Sequence, residues 1–326
     1  MSPGASRRSF LAGMSAATAT TFFATGRGSA TSFSAGDTPF RLSVITDELT
    51  QDFGRALEIA SKEFGLGFVE LRSLWNKNII ALDEKEIAEV KRLLEHYRLQ
   101  VTDIASPLFK TNWPGAPTSK YSPEKPQFGA DFPFEKQDEV LERSVVLAQV
   151  LKSDRIRCFD FWRLDDPQPF RSAMDEKLRE TAARLAPKNL ILLLENEFAC
   201  NTATGAEAAR TLQAVQSLNF KLNWDPGNAA YRGELAYPDG YQPIAKDRIG
   251  HMHCKDVRRK ADGSFEWEAM GRGIIDYVGQ FRAMLKDGYR GTVSLETHWS
   301  GAGSAEESSR ISMAGMKEQL KKAGAL

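Results

Sequence analysis

Four side chains that can bind a metal or move a proton lie at the ends of four short apolar runs of this sequence. In order along the chain they are Glu195, Asp225, His253 and Glu296. The runs recur roughly 30 to 45 residues apart with helix-like stretches between them, which is the spacing of β/α units. If the fold brings these three carboxylates and one imidazole together, they would bind a divalent cation. Such ligands suit Mn²⁺ or Mg²⁺ better than a thiolate-seeking metal.

Such a cluster could support proton transfer next to a carbonyl group. A cation chelated by a carbonyl and the adjacent hydroxyl acts as a Lewis acid that stabilises an enediolate, so a carboxylate base can take the α proton. With Glu195 and Glu296 on opposite sides of the substrate, return of the proton to the other face is epimerisation. Return to the neighbouring carbon is isomerisation, and loss of a β-leaving group is elimination. The sequence leaves these three outcomes open.

The elements that must position these side chains are strands and helices in alternation. Apolar, strand-like runs predict eight strands, at 41–46, 68–72, 99–105, 155–161, 190–195, 220–225, 249–255 and 292–297. Apolar residues at helical spacing predict helices at 53–64, 83–97, 135–151, 207–218, 241–246, 275–285 and 305–322. Alternation implies parallel βαβ units, and eight of them imply closure. The expected fold is α/β, a single (β/α)8 TIM barrel with its site at the C-terminal face of the strands, where such barrels place catalytic groups.

Local sequence refines this expectation. A doubly wound open sheet is the alternative, but Thr46-Asp47-Glu48 occupies the place of its glycine-rich first turn. Residues two apart share a face of a strand, so His251, His253 and Lys255 form one row. His251 by itself reads as a core histidine bonded to a neighbour. The segment 107–134 is rich in Pro, Gly, Lys and aromatic residues, and a loop this long after a strand end could act as a lid.

Composition and charge exclude several classes of protein. The formal net charge of the 326 residues is zero, and the absence of a basic block argues against nucleic-acid binding. Cys158, Cys200 and Cys254 are too few and too scattered for a disulfide framework or a zinc site of the C-x-x-C type. We interpret the two near candidate site residues, Cys200 and Cys254, as small filler. Beyond the N-terminal region no stretch is long and apolar enough to span a membrane.

The N-terminal residues have the pattern of an export signal. Arg7-Arg8-Ser9-Phe10-Leu11 precedes a mildly apolar, Ala- and Thr-rich stretch, and small residues follow at 28–30. This pattern is typical of a twin-arginine signal. We therefore expect a signal segment at 1–30, a linker at 31–39 and the barrel at 40–326. The mature chain would have 40 basic against 43 acidic residues and a periplasmic location.

These residues, with Gly250-His251-x-His253 and Gly271-x-Gly273-x-x-Asp276-Tyr277, resemble the sugar isomerase/epimerase superfamily of xylose-isomerase-like TIM barrels. The resemblance covers about residues 40 to 322. It implies that Glu195, Asp225, His253 and Glu296 bind one divalent metal, Mn²⁺ before Mg²⁺ or Co²⁺, and that the two glutamates move protons on a small carbohydrate. It also implies that Arg259, six residues after the ligand histidine, binds substrate.

The chain departs from the ketose 3-epimerases of that family at two substrate contacts. Asn228 replaces a histidine three residues after the ligand aspartate, and Asn201 replaces a glutamate six residues after Glu195. We expect substrate contacts from Glu70, Asn201, Asn228, His251 and Arg259.

Three alternatives to an isomerase or epimerase follow from the resemblance. The first is a lyase or dehydratase acting on a keto-sugar or a 3-keto-glycoside, and the second is a non-catalytic carbohydrate-binding barrel. An abasic-site endonuclease is disfavoured, because its sites use several histidines and this chain has four in all. A homo-oligomer paired through outer helices is compatible with the resemblance.

Overall fold

The computed structural model describes Met1 and residues 38–123 and 132–326. The predicted export signal at 1–30 and most of the predicted linker therefore lie outside the described residues, except for Met1. Residues 124–131 of the predicted lid loop also lie outside them.

Eight parallel strands form the centre of the fold. They are β1 (Arg41–Val44), β2 (Phe68–Leu71), β3 (Gln100–Leu108), β4 (Arg155–Cys158), β5 (Ile191–Glu195), β6 (Phe220–Trp224), β7 (Ile249–Cys254) and β8 (Thr292–Leu295). Their order in the sheet is β1-β8-β7-β6-β5-β4-β3-β2. A parallel bridge between Ile45 and Glu70 brings the two edge strands together. This arrangement is the nearly closed (β/α)8 barrel that the alternation of elements predicts.

Helices follow the strands and cover the outside of the barrel. The α-helices are α1 (Phe53–Glu58), α2 (Glu84–Tyr97), α3 (Gln137–Leu151), α4 (Arg171–Leu185), α5 (Gly205–Ala214), α6 (Pro226–Tyr231), α7 (Tyr277–Lys286) and α8 (Ala305–Ala323). Capping residues fix where several begin. Asp83 and Thr204 form capping boxes with Glu86 and Glu207, each satisfying two free backbone groups of a first turn. No described helix has the length and apolar character needed to cross a membrane.

Two helices depart from the prediction. Helix α4 was not predicted, although its buried Met174, Leu178, Ala182 and Leu185 recur at helical spacing between many charged residues. The predicted helix at 241–246 is wrong, because the chain there makes only short turns around 236–240 and 246–248. The α-helix of this unit comes earlier, as the six-residue α6.

A β-hairpin that the sequence analysis also missed lies between β7 and α7. Its strands Asp256–Arg259 and Phe265–Glu268 pair antiparallel, with Val257 opposite Trp267. The Asp256 carboxylate accepts hydrogen bonds from the backbone N–H groups of Gly271 and Gly273, each at 3.0 Å. A Cβ atom at Gly273 would lie 2.2 Å from Asp256 Oδ1. The Gly271-x-Gly273 motif therefore closes the base of this hairpin.

The described part of the predicted lid loop runs from the end of β3 toward α6. Ser119 N donates to the carbonyl of Arg163, which follows β4, at 2.8 Å. The guanidinium carbon of Arg232, after α6, lies 3.7 Å from the centre of the Tyr121 ring. These contacts hold the loop at the C-terminal side of β4 to β6, and its action as a lid stays a prediction.

Candidate active site

The four predicted ligands come from the C-terminal ends of four successive barrel strands. Glu195 is the last residue of β5, His253 lies in β7, and Glu296 follows β8. Asp225 follows β6 and is also the N-cap of α6, where its Oδ1 accepts from Asn228 N at 2.8 Å. Because the capping bond uses Oδ1, the other oxygen of Asp225 is left for the site.

The structure brings these four side chains together in the buried top of the barrel. One ligand atom from each lies within 4.8 Å of the others. His253 Nδ1 lies 3.5 Å from Glu195 Oε1, 3.6 Å from Asp225 Oδ2 and 3.2 Å from Glu296 Oε2. The arrangement is that of a set of ligands around a common centre.

The hydrogen bonding of His253 shows that this centre suits a cation. His253 Nε2 lies 3.0 Å from both oxygens of Glu70 and 3.1 Å from Nδ2 of Asn223. Because an ionised Glu70 can only accept, we assign the ring proton to Nε2. Nδ1 is then a lone pair that faces three carboxylates and makes no hydrogen bond. A carboxylate that orients a histidine from behind in this way is usual for metal ligands. Without a metal, a proton on His253 would balance part of the negative charge of these carboxylates. Burial by itself would lower the pKa of His253, but Glu70, Glu195 and Glu296 raise it well above its usual value.

One carboxylate oxygen of each glutamate in the cluster accepts a hydrogen bond from an arginine. Arg157 Nη1 lies 3.0 Å from Glu195 Oε2, and Arg72 Nη1 lies 2.7 Å from Glu296 Oε1. Burial would raise the pKa of Glu195, but Arg157 and His253 hold it well below its usual range. Burial likewise opposes ionisation of Glu296, but Lys255, His298 and His253 lower its pKa strongly. Both glutamates are thus ionised and fixed in orientation.

Lys255 supplies positive charge at the centre of the same cluster. Its Nζ lies 2.6 Å from Glu296 Oε2 and 2.9 Å from Asp225 Oδ2. The side chain is fully buried. Lys255 therefore neutralises two of the oxygens that a metal would use, and a divalent cation must compete with it.

A cavity of about 360 Å³ opens onto the cluster. Glu195 and Glu296 lie in its wall, and three basic residues and two aromatic residues line it as well. The full lining is Arg72, Lys110, Arg157, Glu195, Glu197, Phe198, Trp267, Glu296 and His298. A small molecule in this cavity would meet both glutamates.

Three of the residues predicted to contact substrate lie in or just below the cluster. Asn228 donates to Glu195 Oε1 at 3.3 Å and to Asn196 O at 2.8 Å. Glu70 orients His253 and has no exposed surface. His251 lies one layer deeper, with Nδ1 3.0 Å from Asn223 Oδ1, and burial lowers its pKa to about 3. Glu70 and His251 are therefore placed to support the cluster from below.

None of the five predicted substrate contacts is in the described cavity lining, and the other two do not join the cluster either. Asn201 is buried, and its side chain is hydrogen-bonded to the backbone of the segment after β4. Its Nδ2 donates to Asp160 O at 2.9 Å, and its Oδ1 accepts from Leu164 N at 3.0 Å. Arg259 is exposed at the end of the first hairpin strand, where its Nε donates to Gly263 O at 3.4 Å. The hairpin that follows β7 carries Arg259 outward, so the spacing of six residues from His253 does not place it at the site.

Several site residues escaped the sequence analysis. Arg157 had a signal, because it is a charged residue between the buried Ile156 and Cys158 of one strand. Arg72 directly follows β2, but no local pattern pairs it with Glu296 far along the chain. Trp267 and Lys110 belong to connecting segments whose path depends on the tertiary fold.

Comparison with known proteins identifies the family. A family model described as the xylose isomerase-like TIM barrel matches residues 59–319, which is more than half of the chain. SgbU of Escherichia coli (strain K12), which has a provisional assignment as an L-ribulose-5-phosphate 3-epimerase, is 24% identical over 178 residues. That match covers 51% of this chain and 62% of SgbU, less than two thirds of the relative's length.

Solved structures share the barrel at low sequence identity. A xylose isomerase-like TIM-barrel protein from Mycobacterium smegmatis, in complex with magnesium, has a TM-score of 0.64 at 18% identity and covers 90% of this chain and 99% of its own. A structure titled the probable 3-DHS dehydratase AsbF of Bacillus anthracis has a TM-score of 0.62 at 22% identity, with 85% of this chain and 98% of its own covered. At these identities the likeness shows the fold.

Proposed function

The chain belongs to the xylose isomerase-like TIM-barrel family, and on that premise we propose that it is a divalent-metal-dependent sugar isomerase or epimerase. It would act on a free sugar or sugar derivative by taking a proton from the carbon next to a carbonyl group, through an enediolate. One observation carries the proposal: the free Nδ1 of His253 faces three carboxylates at the end of a cavity that Glu195 and Glu296 line.

The metal would be held by Glu195, Asp225, His253 and Glu296. These oxygen and imidazole donors fit Mn²⁺ first and Mg²⁺ or Co²⁺ as substitutes. A divalent cation there supplies Lewis acidity that stabilises negative charge on the substrate's carbonyl oxygen. The Mycobacterium smegmatis structure of the same fold is in complex with magnesium, which supports a divalent cation in the proposal.

The protein's own residues would carry out the proton transfers. Glu195 and Glu296 reach the cavity from β5 and β8, which are three strands apart. Arg157 and Asn228 hold the first carboxylate, and Arg72 and Lys255 hold the second. Because these contacts fix both bases before substrate enters, little reorganisation is needed in the transition state.

Elimination from a keto-sugar or 3-keto-glycoside is the second candidate, and a specific pair of residues favours it. Lys110 Nζ lies 3.5 Å from Glu197 Oε2 in the cavity wall, apart from the four predicted ligands. Such a pair could deliver a proton to a leaving oxygen. The dehydratase among the structural relatives is consistent with this reaction class.

An exchange experiment in D₂O tests the proposal and separates the candidates. Mn²⁺-loaded protein is incubated with free ketoses and 3-keto-glucosides. Deuterium in recovered or isomerised sugar supports isomerase or epimerase chemistry, and released aglycone supports elimination. Neither product with any substrate, despite binding, would support the third interpretation, a non-catalytic carbohydrate-binding barrel.

Export to the periplasm through the twin-arginine pattern stays part of the proposal. Replacing Arg7-Arg8 with two lysines should keep the protein in the cytoplasm while its activity in lysate persists. Normal export of that variant would exclude a twin-arginine route.

A further inference from the structure

Three aromatic residues from separate segments pack into a wall beside the cluster. Phe198 follows β5, Tyr231 ends α6, and Trp267 lies in the second strand of the hairpin after β7. The ring centres of Tyr231 and Trp267 are 4.6 Å apart with planes at 25°, and those of Phe198 and Tyr231 are 4.8 Å apart. Tyr231 thus stacks on Trp267 and also packs against Phe198, which fixes the wall.

Trp267 connects this wall to the residues around the cluster. Lys255 Nζ lies 5.2 Å from its centroid, and the same Nζ is 2.6 Å from Glu296 Oε2. The His298 ring, 5.1 Å away, meets it edge-on. Trp267 and Phe198 both line the cavity and are only half-buried. Tyr231 covers one face of Trp267, and the part of the ring that is left exposed borders the space in which a substrate carbon would meet Glu296.

The hairpin holds this surface in place. Trp267 pairs with Val257, whose neighbour Asp256 binds the backbone of Gly271 and Gly273. A bulky ring presented on an anchored strand and left partly exposed in a cavity is typical of a recognition surface, because aromatic faces bind ligands that have one apolar side.

We propose that Trp267 is a stacking platform for the reacting ring of the substrate, so that the site selects a closed six-membered ring ketone over an open-chain sugar. This rests on the proposed function, which identifies the reacting centre. A six-membered ring carries several C–H groups on one flat face and its hydroxyl groups around the edge. An open chain shows hydroxyl groups on all sides and loses more conformational freedom when it binds.

Two non-reacting probes test the platform separately from catalysis. myo-Inositol and D-glucitol each have six carbons and six hydroxyl groups, one as a ring and the other as an open chain. Their binding to the full-length Mn²⁺-loaded protein is measured by calorimetry. The wild type should prefer the ring. Trp267→Ala should weaken ring binding by about three- to tenfold, the value of one aromatic contact, and leave D-glucitol binding unchanged. Trp267→Phe should keep most of the preference.

A matched control comes from the same hairpin strand. Phe265 contacts Tyr231, with ring centres 6.4 Å apart, but is not part of the described cavity lining. Phe265→Ala should loosen the hairpin and preserve the ring preference. Equal binding of the two probes, no measurable binding of either, or an equal loss in Phe265→Ala would overturn the platform. If Trp267→Ala does not fold, Trp267→Leu takes its place. A ring preference without deuterium exchange in any substrate would instead contradict the proposed function and leave the platform standing.

Discussion

Arg157 donates from Nη1 to Oε2 of Glu195 at 3.0 Å, on the carboxylate oxygen opposite the one that approaches His253. The same arginine binds the carbonyl of Ala105 through Nη2 at 3.0 Å, which ties it to β3. The guanidinium can therefore not follow a moving carboxylate, and Glu195 is held at one position in the cavity wall.

Removal of this arginine should shift the pH dependence of catalysis. Arg157 lowers the pKa of Glu195, so Arg157→Met should raise it and move the acid limb of the kcat/KM profile to higher pH. Loss of orientation should also reduce kcat at the optimum by about tenfold or more. Arg157→Lys keeps the charge and should restore most of the acid limb but little of kcat. An unchanged acid limb in Arg157→Met would show that Glu195 does not titrate in catalysis.

The two glutamates should be needed for turnover more than for binding. Glu195→Gln and Glu296→Gln keep a carbonyl oxygen for the metal and remove the base, so each should lose about 10²- to 10⁴-fold in turnover. Calorimetry should still detect metal and sugar binding. Normal turnover of Glu296→Gln would contradict the two-glutamate mechanism and favour elimination by another base.

Asp225 should show two separable functions, because one oxygen caps α6 and the other faces the cluster. Asp225→Asn retains a good cap and should lower metal affinity, with activity partly restored by excess Mn²⁺. Asp225→Ala also loses the cap and should destabilise the protein by about a further 1 kcal/mol. Thermal unfolding in EDTA compares the two, since it removes the metal contribution. Equal stability of both variants would contradict the capping function.

Metal removal should leave the wild-type protein folded because Lys255 neutralises Asp225 and Glu296. In Lys255→Met these buried carboxylates lose that partner, and breaking a buried pair costs about 3–5 kcal/mol. The melting temperature of the variant should therefore fall strongly in EDTA and recover with Mn²⁺. A deficit of the same size in both conditions would show that Lys255 does not substitute for a cation.

Acid should destabilise the fold through His251. Its pKa is about 3 in the folded protein and 6.5 in a free side chain, so the unfolded chain binds a proton first as pH falls. The stability from the neutral ring is complete above pH 6.5 and is lost toward pH 3, at about 1.4 kcal/mol per pH unit. The free energy of unfolding should fall between pH 7 and pH 5 in both proteins, and the fall should be about 2 kcal/mol smaller in His251→Gln than in wild type. Urea unfolding in EDTA at both pH values measures the two free energies. An equal fall in wild type and variant would contradict the contribution of His251.

The barrel and the meeting of Glu195, Asp225, His253 and Glu296 could be predicted because local patterns encode them. Each residue ends an apolar run, and parallel strand ends converge on one face of a barrel. Metal binding by these residues stays a prediction. The contact between Arg72 and Glu296 could not be found this way, because it depends on closure of the barrel, which brings β2 and β8 to the two sides of β1. The contact between Arg157 and Glu195 joins neighbouring strands, and its signal was a charged residue inside a buried strand.

Substrate contacts from Arg259 and Asn201 stay predictions from the resemblance, and the geometry does not favour them. Their distances along the chain from His253 and Glu195 match the family, but the hairpin turns the first outward and backbone hydrogen bonds fix the second. The helix α4 was missed for a different reason: its apolar residues are spaced correctly, but charged residues on the other positions dilute the signal.

The closed base of the hairpin makes it suitable for redesign. The segment between Asp256 and Gly273 starts and ends at two residues that are hydrogen-bonded to each other, so its length and sequence can vary without moving the strand ends that carry the metal-binding candidates. A library that randomises 258–267 could therefore change which sugars the cavity admits while the barrel serves as a constant framework. Natural variation between relatives could act on the same segment, with selectivity and chemistry evolving at separate positions.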